Sequence, residues 1–439
     1  MPRSFYLATL GCPKNEVDSA KLAGRLVAEG YEPSGTPGEA DLVVVNTCAF
    51  VEAAREESVE TILELAASRK AGARLAVTGC LAERSGRELS RALPEVDVVA
   101  GFGVELAGDV EVGESPVRLR RREEVPSFDL LELPRPPAEA PWAYVKVAEG
   151  CDRNCGFCAI PSFRGRQRSR STAAILAEVE ALGVREVVLV AQDLASFGRD
   201  RTARAPGQPG ADLVDLVGAV SGLCERVRLL YLYPSSLTDR LIDAVVETGV
   251  PYFDLSLQHA SGALLRRMRR PGSRQRFLER IARIRAAAPG AALRSSFILG
   301  YPGETEADHD ELLGFITEAE LDWAGFFTFS KEEGTHAAGL EGQVPAGLAL
   351  ERLQESSELQ DAITARKRAE LVGTRATVLV DEPGAARSYR EAPEIDGVVS
   401  VPAAAEVGSF LEVRFVDSLG TDLVGEPLEA ATPGVRAVT

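Results

Sequence analysis

The sequence predicts an α/β protein in three parts: a doubly wound parallel sheet first, then a central (β/α)6 partial barrel, then a small antiparallel β-barrel. Three observations carry this prediction. Strand-like apolar runs alternate with helical patterns near the start of the chain and again after Pro141, and such alternation lays helices over parallel strands. Between the two series, "EEVPSFDLLELPRPPAEAP" (123–141) is rich in proline and acid and lacks any period, as a linker does. The last part of the chain changes to short strands separated by turn residues.

Taken in order, "FYLATLGC", "DLVVVNTC", "ARLAVTGC" and "VDVVAG" read as four strands, with helices in "EVDSAKLAGRLVAEG" and "VEAAREESVETILELAASRK". They make residues 1–120 a flavodoxin-like domain, with a linker at 121–140. Residues 141–370 hold six more strands, in "WAYVKVAEG", "REVVLVAQD", "RVRLLYLYP", "YFDLSLQHA", "ALRSSFILGYPGE" and "AGFFTFSKEEGT". This is a partial barrel of TIM type, interrupted by a proline- and glycine-rich loop at 199–212 that reads as mobile. A long helix near 346–370 leads into 371–439, where "TRATVLVDE", "DGVVSVP" and "LEVRFVDSLG" form the small barrel.

With 439 residues, 45% hydrophobic and 26% charged, the chain has room for several cores and is neither disordered nor fibrous. No apolar run reaches ~18 residues, and "MPRSFYLATLG" lacks the pattern of a signal peptide. The expectation is a cytoplasmic protein with no membrane association. A net charge of -17 argues against nonspecific nucleic-acid binding and favours a basic partner.

Seven cysteines in such a chain point to metal or redox chemistry. Cys12, Cys48 and Cys80 each stand just past the carboxyl end of a strand, so a parallel sheet carries all three to the edge where open α/β sheets bind ligands. The alternative is three small core residues. Cys151, Cys155 and Cys158, spaced Cys-x3-Cys-x2-Cys, follow the first barrel strand on the face where such barrels keep their active sites. Three thiolates suit iron in a cluster, whereas closed structural zinc takes a fourth Cys or His. None follows nearby, although a distant Cys224 or His259 leaves zinc open. A cluster held by three cysteines has one iron free for a small molecule.

The barrel triad in that context resembles the radical S-adenosylmethionine superfamily. With the N-terminal triad and the terminal barrel, which resembles the TRAM module, the whole chain is similar to the methylthiotransferases. The resemblance implies two [4Fe-4S] clusters, one on Cys151, Cys155 and Cys158 and a second on Cys12, Cys48 and Cys80. It also implies S-adenosylmethionine as cofactor, an outside reducing protein as electron donor, and transfer of a methylthio group to a substrate carbon radical. The cofactors supply the hard chemistry, so no catalytic side chain is named. Cys224 is left as a core residue. Candidates to hold S-adenosylmethionine are Phe157, in the cluster loop, and Gln192, Gln258 and Ser296, near strand ends, where alternation aims them at the barrel mouth. Each is equally a candidate for a structural hydrogen bond. "GYPGE" lacks the ending of a phosphate loop and reads as a turn, and His309 and His336 follow no metal spacing.

The family has one branch acting on tRNA adenosine and another acting on the β-carbon of an aspartate in a small-subunit ribosomal protein, number twelve. "LGCPKNEVDSAK", "IPSFRGRQRSR", "LQHASGALLRRMRRPGS" and "FSKEEGTHAA" resemble the second. Charge agrees with that branch: residues 371–439 hold five arginines and no lysine against eleven acids. A barrel that clamps tRNA is expected to be basic, and an acidic one suits a basic ribosomal protein. The tRNA enzyme is the alternative, and a noncatalytic iron-sulfur scaffold or redox sensor is a distant third.

Overall fold

The computed structural model describes residues 3–106, 117–118, 129–201 and 212–428. Most of the loop at 199–212, the linker residues before 129, and residues 429–439 lie outside the described residues.

The first domain is a six-stranded parallel sheet in the order β2-β1-β3-β4-β5-β6. Its strands are β1 (Arg3–Thr9), β2 (Tyr31–Pro33), β3 (Leu42–Thr47), β4 (Arg74–Gly79), β5 (Val98–Ala100) and β6 (Val117–Arg118). The very short β2 and β6 go beyond the four strands expected from sequence; neither is long enough to show a period. Helix α1 (Pro13–Ala28) packs Leu22 and Leu26 on one face, against Phe5, Leu42 and Val44. Helices α2 (Glu52–Ser68) and α3 (Cys80–Ala92) pack Ile62, Leu65, Leu81 and Leu89 on the other, against Val43, Val45, Leu75 and Val77. Coverage of both faces is why β3 reads as an unbroken apolar run and is buried throughout.

The six barrel strands are Trp142–Lys146, Glu186–Val190, Arg226–Leu229, Tyr252–Gln258, Ala292–Leu299 and Trp323–Thr328. They are parallel and follow chain order in two three-stranded ladders, joined through the bridge Leu232 to Leu255. Val187, Leu189, Phe253, Leu255, Leu293 and Phe297 belong to the large outer core shared with the helices. The alternate residues Tyr144, Val188, Val190 and Tyr252 cluster inside, together with Val17 of α1. The N-terminal domain thus contributes to the packing of the barrel interior.

The helix Ala346–Glu370 leads to a closed barrel of five strands. Its pairings are antiparallel except one, Val399–Ser400 beside Asp422–Pro427, which is parallel. A segment of this domain covers the amino ends of the large barrel's strands. Arg387 pairs with Glu186 at 3.1 Å, Tyr144 Oη donates to the Pro393 carbonyl, and Trp323 Nε1 donates to the Arg390 carbonyl. The linker, where described, is packed: Lys21 Nζ donates to the Leu131 carbonyl, and Arg135 binds Glu178. Among the described residues no helix is long and apolar enough to cross a membrane.

Candidate functional site

The sheet aligns its first cysteine triad through register. Thr9 pairs with Asn46, and Thr47 pairs with Gly79, so the loops after β1, β3 and β4 leave one edge side by side. Cys12 caps α1, Cys48 follows β3 directly, and Cys80 opens α3. Gly11, at φ +93°, makes the close approach possible: a Cβ there would stand 2.8 Å from Cys48 Sγ. Asn15 stitches the loops together, its Nδ2 donating to the carbonyls of Leu10 (2.9 Å) and Thr47 (3.0 Å), with Cys80 Sγ 3.7 Å from its Oδ1. Burial raises the Cys12 thiol, but Lys14 and Arg164 outweigh it and leave its pKa lowered. Burial pushes Cys48 up, and Cys80 up to about 11.

The second triad lies on the loop after the first barrel strand. The Cys151 N–H donates to the Gly165 carbonyl at 3.1 Å, and the Gly156 N–H to the Met268 carbonyl at 2.8 Å. Gly156 sits so close to its neighbours that a Cβ would stand 2.8 Å from Tyr301 Oη. Arg270 Nη1 donates to Cys155 Sγ at 3.3 Å. Burial raises Cys151 to about 11 and Cys158 to about 12, and a bound metal's charge favours the thiolate form of such ligands. Among the described residues no trio of Cys, His, Asp or Glu closes on one point as a single-ion site does. In a cluster each thiolate takes its own iron, and the donor sets fit that use.

Polar atoms in need of partners gather at the barrel mouth. Gln192 donates through Nε2 to Glu149 at 2.9 Å, while its Oε1 is buried with no partner; Gln167 Oε1 and Asp193 Oδ1 are in the same condition. Buried polar atoms are ordinarily satisfied, and a polar cofactor fits this need. Phe157 is half-buried against the outer core. Ser296 lies half-buried on the row of Arg294 and Ile298, opposite the core-facing Leu293 and Phe297. Gln258 ends its strand at φ 73°, beyond a pairing irregularity that starts at Leu255. Cys224 packs at the edge of the large core, its Sγ near the Arg226 carbonyl. His259 is buried, its pKa lowered to about 3 by burial, and His309 is paired with Glu355 at 2.9 Å.

Several residues that the sequence did not single out join the two triads. Asp18 of α1 accepts from Lys146 Nζ at 2.5 Å and from Arg164 Nη1 at 2.7 Å. Lys14 Nζ sits 3.4 Å over the Tyr231 ring. At the far side of the seam Glu332, with its side chain 2% exposed, binds Arg55 of α2 (2.5 Å) and Arg84 of α3 (2.6 Å). Arg84 also donates to the carbonyl of Ala49, beside Cys48. One signal is readable: Lys14, Asp18 and Lys21 fall at i, i+4 and i+7, the spacing of an inward stripe written in charges. In the terminal barrel Glu391 is buried with Arg368, and Asp381 pairs with Arg387, so these acids serve the fold. Glu382, Glu394, Glu406, Glu412, Asp417 and Glu426 are exposed.

Residues 4–101 match the uncharacterized protein family UPF0004, residues 145–316 the radical SAM superfamily, and residues 372–428 the TRAM domain. The chain is similar over nearly its full length to curated relatives described as ribosomal protein uS12 methylthiotransferase RimO. One from Cutibacterium acnes is 40% identical, over 97% of this chain and 98% of its own. One from Geobacter sulfurreducens is 40% identical over 96% and 97%, and one from Moorella thermoacetica is 42% identical over 95% and 98%.

Proposed function

The chain belongs to the ribosomal protein uS12 methylthiotransferase family of radical S-adenosylmethionine enzymes, and from that premise we propose how its own residues divide the work. Cys151, Cys155 and Cys158 hold a [4Fe-4S] cluster that binds S-adenosylmethionine, and Cys12, Cys48 and Cys80 hold a second. When bound, the first supplies the electron that cleaves S-adenosylmethionine, and the second supplies the sulfur that is methylated and transferred. The observation that carries this division is the seam itself: α1, which Cys12 caps, packs Val17 into the barrel interior and Asp18 against Lys146, behind the loop of Cys151.

The protein's part is to place, screen and charge the site. Gln192, Gln258 and Ser296 offer polar atoms on the inward side of the barrel, and Phe157 an aromatic face beside the loop. Arg270 steadies Cys155 by donating to its sulfur. The exposed acids of the terminal barrel dock the basic uS12 protein rather than tRNA; a separate reducing protein delivers electrons, and the reaction takes place in the cytoplasm.

Anaerobic reconstitution tests the division. The whole protein binds about eight irons, and Cys151→Ala, Cys155→Ala and Cys158→Ala together leave about four. With the N-terminal triad replaced instead, reductive cleavage of S-adenosylmethionine persists and methylthiolated uS12 disappears. Product at the wild-type level from that second variant would remove the N-terminal triad from sulfur delivery.

A further inference from the structure

Arg164 lies six residues past Cys158, on the barrel's own loop, yet its guanidinium ends at the other triad. Nη2 donates to Cys80 Sγ at 3.1 Å and to Asn15 Oδ1 at 2.6 Å, and Nη1 donates to Asp18 Oδ2 at 2.7 Å and to Glu149 Oε2 at 3.2 Å. The ring of Phe102 covers it at 4.1 Å. Its side chain is 3% exposed, and Lys146 braces both carboxylates, 2.5 Å from Asp18 and in contact with Glu149. The next residue, Gly165, accepts the N–H of Cys151 through its carbonyl. A single turn of chain therefore touches one cysteine of each triad.

An N–H donated to a ligand sulfur draws negative charge from it and favours the reduced cluster, and a buried cation adds to this because little solvent screens it. Arg270 on Cys155 is the counterpart in the barrel, but it comes from the same domain as its cysteine. We infer that Arg164 is a positioning residue that raises the reduction potential of the N-terminal cluster and locks that cluster's geometry to the barrel loop. The inference rests on the two-cluster reading proposed above. Both carboxylates that face the guanidinium are themselves paired with Lys146, so the arginine's charge is held in place and only one of its nitrogens is directed to sulfur.

The test is an anaerobic redox titration of the reconstituted holoenzyme followed by electron paramagnetic resonance, with added S-adenosylmethionine marking the barrel cluster's signal. Wild type is compared with Arg164→Gln and Arg164→Lys. In Arg164→Gln the N-terminal midpoint moves to more negative potential, so that at the wild-type midpoint the reduced-to-oxidised ratio falls about tenfold, ~59 mV for one electron. Arg164→Lys, which keeps the charge without the fork, shifts less, and the barrel cluster's midpoint stays in place in both. If Arg164→Gln loses the N-terminal iron, the lysine variant decides: a negative shift supports the inference and an unmoved midpoint overturns it. An unmoved N-terminal midpoint in variants that hold about eight irons likewise overturns it, whereas wild type binding only about four irons would defeat the two-cluster reading instead.

Discussion

Glu332→Gln removes one negative charge from the seam between the domains while keeping the side chain's size. The carboxylate is buried, and although burial raises its pKa, Ser330, Arg84 and Arg55 outweigh that and leave it lowered, so it is ionised at neutral pH. Two charge-assisted hydrogen bonds, at 2.5 and 2.6 Å, are weakened at once. Each contributes about 1.5–3 kcal/mol. The arginine side chains are 26% and 15% exposed, and water screens them in part, so the lower end applies to each and the seam loses about 3 kcal/mol. That is roughly a hundredfold rise in local opening. Hydrogen exchange reads it directly at the Glu52 amide, which donates to Ser330 Oγ across the seam, and at the Cys48 amide, which donates to Ser58 Oγ. Iron content stays at the wild-type level, and S-adenosylmethionine cleaved per methylthiolated product rises because the N-terminal triad sits less firmly at the mouth. Unchanged exchange at both amides would show that Glu332 does not hold the seam.

Two further outcomes follow from charge. Glu186, fully buried between Arg228 (2.7 Å) and Arg387 (3.1 Å), is raised by burial but brought down to about 2 by its arginines. Its folded pKa lies below the unfolded value of ~4.3, so its contribution is complete above ~4.3 and is lost as pH falls toward 2. Glu186→Gln costs about 3–5 kcal/mol at neutral pH and flattens the stability profile in that acid window, as measured by denaturant unfolding; an unchanged profile would contradict the pairing. Reversing Glu382, Glu406, Glu412, Asp417 and Glu426 to Lys slows uS12 capture most at low salt, since exposed charges act over ~8–10 Å. S-adenosylmethionine cleavage without substrate stays as it was, and salt-independent, unaltered capture would end the docking role of this barrel.

What the sequence revealed and what it concealed divide along the range of the interactions. Cys12, Cys48 and Cys80 are legible because each stands just past the end of a strand, and strand ends in a parallel sheet share an edge. The barrel strands are legible because Val187, Leu189, Phe253 and Leu255 stand in apolar runs that helices cover. Arg164 and Glu332 are not, because their partners Cys80 and Arg84 are distant in the chain and meet them only once two domains close. Lys14, Asp18 and Lys21 have the spacing of an inward stripe, but their charge hides it; Asp18 and Lys21 are buried because the facing domain supplies opposite charges. The acidity of the terminal barrel is legible as a total, but only the structure separates Glu391, which binds Arg368 inside, from Glu412 and Asp417 outside.

The central claim, a radical methylthiotransferase acting on ribosomal protein uS12, is tested most directly by mass analysis of two substrates offered to one preparation. The anaerobically reconstituted protein is given S-adenosylmethionine, a reductant and a sulfur source, together with uS12 and tRNA. The account predicts that uS12 gains the mass of one methylthio group in place of hydrogen, located on an aspartate by fragmentation, and that tRNA adenosine is unmodified. A methylthio group on tRNA with uS12 unchanged, or 5'-deoxyadenosine formed with neither substrate modified, would contradict it.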